Sequence, residues 1–315
     1  MRARFCLWVI LGFWPLLGRA QDSSGNYVAR NIQLDEVVIQ AAKVGFDVPG
    51  FIRLVEDDTT FYKAFKNLRI LGYTADNDIR VFSKNEKKTK ASLRSVTRQA
   101  VQDGCRTMQV LKEQTTGNFY GHGHTYNYYT AELYASLFFT SGKVCGENNI
   151  VAGSQSRDEG GSLARHKEQL KELIFNPGKP IPGVPLVGKK VAIFDDKMAP
   201  YYQFSITSAE YNGIPCYVFT ARAKPYNRSE VVINELVTYF SKQNFEIVAR
   251  NYALSYKAFV FDFDVHMEVS MTHFKGYLVP AVIHYRGNWK VPFKKREPAA
   301  FDSRFYDFNE GVPGS

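Results

Sequence analysis

The residues best placed to do chemistry sit in one alternating run near the C-terminus. From Phe259 to Met271 an apolar residue recurs at every second position, and Asp262, Asp264, His266 and Glu268 fill places between them. Alternate residues of a strand point to one face, so these donors converge on a single surface. Such a set can hold a divalent metal or move protons. A solvated sheet face needs polar residues at the same positions, and that is the reading taken for this stripe. His122 and His124 form an H-x-H pair within Tyr120-Gly-His-Gly-His-Thr-Tyr126. The glycines favour a loop over a rigid strand, and no third ligand stands nearby in sequence, so the pair reads as an exposed polar loop. No G-x-S-x-G elbow, P-loop, H-E-x-x-H or C-x-x-C is present. No catalytic residue is assigned, and no cofactor or metal is expected.

Two further groups suit binding. The other face of the same run carries Phe259, Phe261, Phe263 and Val265, and Phe219 and Phe240 lie on neighbouring apolar runs. Together they could bed an acyl chain or a hydrophobic peptide. Lys84, Lys87, Lys88 and Lys90 cluster in a turn-like stretch and suit contact with an anionic surface. Lys294-Lys295-Arg296 is a second basic cluster.

The elements that must position these groups can be read from periodicity. Asn31 to Ala41 reads as a short β-like run. Asp47 to Leu71 reads as helical with a break, because Phe51, Ile52, Val55, Phe61, Phe65 and Leu68 recur at helical spacing and Pro49 suits a first turn. Thr59 or Thr60 would cap the second part. Arg69 to Phe119 reads as long polar strands, Thr130 to Phe139 as a helix, and Gly160 to Phe175 as another. Six strands follow: 201–207, 215–223, 231–240, 245–256, 259–271 and 276–285. Asn212-Gly213 and Ser241 to Asn244 supply hairpin turns, so the strands form an antiparallel meander with one dry and one wet face.

Length and composition bound the rest. The chain has 315 residues, 45% of them hydrophobic and 23% charged, which is a globular balance. Residues 1–20 read as a signal peptide: Arg2 and Arg4, then an apolar stretch, then Gly18-Arg19-Ala20. Removing Arg2, Arg4 and Arg19 with it lowers the formal charge from +9 to +6. A mild positive excess suits anionic surfaces, and an exported chain without a nucleic-acid motif is not expected to bind nucleic acid. Cys105, Cys145 and Cys216 remain after cleavage. The first two border turn-like polar sequence and are expected to pair, leaving Cys216 as a buried thiol; the alternative is three free thiols.

Two resemblances add to this reading. Ile32-Gln-Leu-Asp-Glu-Val-Val-Ile39 resembles the last strand of the carboxypeptidase-regulatory-like domain of Bacteroidetes surface proteins, and Phe51 to Leu68 looks like the helical start of exported Bacteroidetes envelope proteins. The order of elements (a leading helix, long strands, a helical excursion, then the meander) is similar to the lipoprotein-sorting, LolA-like half-barrel. That resemblance implies an α+β fold: a curved antiparallel β-sheet with helices packed on one face and acyl chains held between them. It assigns no site residue. The implied layout is an N-terminal segment 21–46, a half-barrel 47–298 with a helical insertion at about 119–188, and a tail 299–315. The expected role is non-catalytic binding of a lipid, a lipoprotein or another hydrophobic ligand, or support of outer-membrane assembly. The expected partners are a lipid or acylated protein and an outer-membrane protein. The alternatives are a metal-assisted periplasmic hydrolase and a scaffold docking on a membrane partner.

Overall fold

The computed structural model describes residues 25–147, 173–178, 190–257, 262–290 and 295–311. The signal-peptide stretch, most of the Gly160–Phe175 helix, Phe259, Phe261 and Lys294 lie outside them.

The frame is one open, curved sheet of 12 strands in the order β1-β6-β7-β8-β9-β10-β11-β12-β2-β3-β4-β5. Strands β2 (Leu71–Phe82), β3 (Thr89–Gln102) and β4 (Cys105–Thr116) form an N-terminal meander. Strands β6 (Tyr202–Tyr211), β7 (Ile214–Ala223), β8 (Ile233–Ser241), β9 (Ile247–Lys257), β10 (Asp262–Phe274) and β11 (Tyr277–Lys290) form a second. Both are antiparallel, and the six strands expected from residue 201 onward are present. The stretch 299–315 corrects the expected tail. Strand β12 (Glu297–Glu310) lies in the middle of the sheet, between β11 and β2, and joins the two meanders. Its alternation was there to read: Phe301, Ser303 and Phe305 are buried on one face, with Asp302 and Arg304 on the other. Pairing faults beside Ser270, Val96 and Tyr306 bend the strands locally.

At the ends stand β1 (Gln33–Leu34) and β5 (Val144–Cys145), two residues each, so the sheet does not close into a barrel. The expected β-run from Asn31 to Ala41 is therefore corrected too. Only Gln33 and Leu34 are strand, paired parallel to β6. Asp35 then accepts a hydrogen bond from the Val38 amide at 2.8 Å and starts helix α2 (Glu36–Lys43). A side-chain oxygen that satisfies a free amide of the first turn is a strong start signal. With α1 (Gly25–Asn31), this segment buries Val28 and Val38 in the same core as the sheet, so the 21–46 stretch from Gly25 onward is not a separate unit.

Helices α3 (Val48–Asp57) and α4 (Thr60–Asn67) follow the expected break. Asp47 caps α3 through the Gly50 amide, and Pro49 occupies its first turn. Helix α5 (Tyr129–Phe138) lies over β12 and its neighbours. All these helices turn their buried apolar side chains to one sheet face, the inner face. The Phe51 ring packs on Tyr217 and Phe240, Phe61 on Tyr252, and Phe138 on Phe301 and Phe305. Cys105 and Cys145 are disulfide-bonded and tie β5 to β4, while Cys216 is a buried free thiol.

Candidate ligand-binding faces

The inner face is divided by chemistry. Over β6 to β11 it is apolar. Phe219, Phe240, Phe263 and Val265 all point inward there and are buried beneath the covering layer. That layer is assembled from separate pieces: α1 to α4, residues 173–178 and residues 190–201. Phe194 lies on Phe204 and Phe219, and Phe175 fills the space between Phe65 and Phe138. Trp289 donates to the Tyr285 hydroxyl across Gly287, where a Cβ would meet that hydroxyl 2.0 Å away. Glycine is required at this close approach.

Over β12, β2 and β3 the inner face is mixed: Phe301, Phe305, Ile79 and Leu93 are buried there, and a polar network runs beside them. The Tyr134 hydroxyl of α5 lies 2.5 Å from Asn77 Oδ1 and 2.7 Å from Ser303 Oγ. Asn77 Nδ2 donates to Ser95 Oγ and Thr97 Oγ1, both at 3.2 Å. Further along, Arg106 donates to Thr140 and to Glu147, and Thr140 donates to Gln99. Buried polar groups in a satisfied network fix one arrangement of the elements that carry them.

Two polar groups on the apolar half stand out. Arg250 enters the core from β9, where it bonds Thr238 Oγ1 at 3.0 Å and Asp58 Oδ2 at 3.3 Å, with its guanidinium over the Phe61 ring. Burial lowers its pKa, and Asp58 opposes that shift. The sequence reading missed this residue, although the signal existed: Arg250 shares strand parity with Tyr252 and Leu254, which are core. The second group is the Tyr202 hydroxyl. It is buried at the start of β6 and has no hydrogen-bond partner among the described residues, and burial pushes its pKa upward.

The outer face is charged and grooved. Strand register sets Val282, Arg304, Asp76, Val96 and Lys112 in one row across five strands. His284, Asp302, Asp78, Arg94 and Gln114 form the next row. A groove of about 550 Å³ runs over both rows. Asp78 and Asp302 are cross-strand neighbours, a repulsive placement, and Arg80 contacts both. His284 Nδ1 lies 2.6 Å from Asp302 Oδ1. Pairings between residues so distant in sequence left no local signal to find.

Of the remaining sequence candidates, Asp262, Asp264, His266 and Glu268 share the outer face, where Glu268 is the cross-strand neighbour of His284. Asp262 is ion-paired to Arg296, and Asp264 and His266 are well exposed. His122 and His124 lie in a single 3₁₀ turn, where His124 stacks on Tyr120 at 3.7 Å. Among the described residues no three His, Cys, Asp or Glu side chains are placed to hold a metal ion. Lys84, Lys87, Lys88 and Lys90 are exposed on the turn from β2 to β3 and its flank, with Lys90 over the Tyr128 ring. No helix of the described residues is long and apolar enough to cross a membrane.

No protein-family model matches the chain, and no curated protein matches it in sequence. Two solved structures are similar to it at low levels. One is described as an outer membrane lipoprotein-sorting protein domain from Vibrio parahaemolyticus, with 8% identity over 78% of this chain and 88% of that one and a TM-score of 0.27. The other is a DUF1329 family protein from Desulfovibrio piger, with 12% identity over 82% and 96% and a TM-score of 0.23. Superpositions this loose carry no argument about fold or function.

Proposed function

We propose that this chain is an exported, non-catalytic binding protein for an amphiphile, a lipid or acylated protein, whose apolar chain lies between the inner sheet face and the pieces that cover it. Phe219, Phe240, Phe263 and Val265 form the bed, with Phe259 and Phe261 as its continuation in sequence. An outer-membrane protein is the receiving partner in this reading, and the signal peptide 1–20 and the disulfide suit such a compartment.

The observation that carries the reading is the Tyr202 hydroxyl, buried on the inner face and without a hydrogen-bond partner among the described residues. A buried hydroxyl without a partner costs about 1–3 kcal/mol, and the polar end of an amphiphile would satisfy it. The division of the inner face adds support. The half under α5 adds a buried hydrogen-bond network to its apolar contacts, whereas residues 173–178 and 190–201 add only a few hydrogen bonds to the sheet, such as Tyr252 to Ile174, and their apolar contacts are of a kind that a chain of methylenes can replace. Each buried methylene contributes about 0.8 kcal/mol, so a long acyl chain binds without covalent chemistry.

The test is native mass spectrometry of protein recovered from the periplasm of an expression host, followed by organic extraction. An excess mass that extracts as lipid or acylated peptide is the expected result, and a bare protein mass rejects the proposal. Tyr202→Phe supplies the specific arm. It should leave the unliganded fold unchanged or about 1 kcal/mol more stable while reducing the liganded fraction. Unaltered loading in this variant would remove Tyr202 from the site.

A further inference from the structure

The sheet separates charge between its two ends. Because the strands alternate in direction, the end of β2, the start of β3, the end of β9, the end of β11 and the start of β12 all lie at one end. Lys84, Lys87, Lys88 and Lys90 stand there on the β2–β3 side. Further round the same end are Lys257, Lys290 and Lys295, with Arg228 after β7, all exposed. None of these forms an ion pair with a described residue. Glu86, Asp262, Glu230 and Glu235 lie at this end too, each paired to a cation (Arg286, Arg296, Lys190 and Arg222), and the exposed Asp195 and Asp196 stand beside Lys197, so the cations remain in excess. Tyr226, 90% exposed, projects beside Arg228.

The opposite end has the reverse balance. Its turns and strand ends carry Asp103, Glu210, Glu246, Asp307 and Glu310, against Lys143, Lys242 and Lys275. Of these lysines, Lys275 is paired to Glu310 and Lys242 donates to Ser208. An excess of unpaired cations at one end and of carboxylates at the other orients the whole molecule in a field.

We propose that the basic end docks on an anionic lipid bilayer, with the sheet standing on the membrane and Tyr226 at the headgroup level. Lysines at a membrane surface attract anionic headgroups additively, and an amphipathic ring suits the same depth. The interaction goes beyond ligand carriage and does not require it: the docking end consists of strand termini and turns, whereas the proposed bed is the inner sheet face beneath the covering layer. The reach of the basic set from β3 round to β7 fits a broad planar surface better than a single anionic group.

Co-sedimentation of the mature chain with vesicles tests the proposal directly. Binding is expected to phosphatidylcholine vesicles containing phosphatidylglycerol, to weaken as salt rises, and to be absent from pure phosphatidylcholine. Lys87→Glu with Lys88→Glu should lower the partition coefficient by about thirtyfold or more, taking each lysine's contribution at a membrane surface. Lys275→Glu at the far end should leave it within about twofold, since that side chain is more than a Debye length from the docked surface. Equal binding to neutral vesicles, no binding to either, or an equal loss in the Lys275 variant would each overturn the proposal. Because the measurement reads vesicle association and not bound mass, it can fail while the carrier reading stands, and the reverse also holds.

Discussion

Arg250 illustrates how one residue couples two layers. Its side chain and that of Asp58 are each only 6% exposed, so the pair is largely withdrawn from water. Asp58 also accepts from the Thr60 amide at 3.0 Å and so holds the start of α4. Removing one member of such a pair leaves an uncompensated buried charge, which costs far more than removing both. Asp58→Ala is therefore expected to destabilise by about 3–5 kcal/mol. Combining it with Arg250→Met should recover part of that loss, although the α4 cap stays lost. Urea midpoints of the two single variants and the double variant measure the coupling. Strictly additive losses would show that the ion pair contributes no coupling of its own.

At the scale of elements, the placement of α5 depends on a strand far away in sequence. The residue before the helix, Tyr128, provides no side-chain cap. Instead the Glu297 carboxylate of β12 accepts from the Tyr129 amide at 2.9 Å and from the Thr130 amide at 2.7 Å. A carboxylate at a helix N-terminus satisfies free amides and meets the positive end of the helix dipole. Glu297→Gln retains an oxygen acceptor and should cost about 1 kcal/mol; Glu297→Ala should cost about 2. Equal stability of the alanine variant and the parent in denaturant titration would show that the helix holds its position without this carboxylate.

At the scale of the molecule, the sheet is a frame with two different attachments on one face. α5 is bound through Tyr134, Asn77 and Ser303, whereas residues 190–201 lie on the apolar half and make few backbone hydrogen bonds beyond their own turns. Opening free energies are lowest where directional contacts are few. Hydrogen exchange should therefore find amides in 190–201 less protected than those of α5 in the unliganded protein. Loading with a fatty acid should raise protection in 190–201 and leave α5 unchanged. A uniform response across both would mean that the layer opens as one unit and that the division of the inner face has no dynamic consequence.

Much of the frame was determined by sequence alone. Two-residue alternation specified the meander from β6 to β11, helical spacing and Asp47-Val-Pro49 specified α3, and turn-like flanks singled out Cys105 and Cys145 for pairing. These are local signals, because side-chain direction in a strand or helix follows from a few neighbouring residues. The same rule was available for β12, whose Phe301, Ser303 and Phe305 alternate as plainly as the residues of β10. Only the three-dimensional structure decided the rest. It placed β12 between the two meanders, set Glu297 against α5, joined Arg250 to Asp58, aligned the charged rows of the outer face, and gathered the lysines of several strand ends at one pole. Each of these joins residues tens to hundreds of positions apart. Such contacts depend on strand order and register, which the burial of the whole inner face selects and no short stretch of sequence encodes.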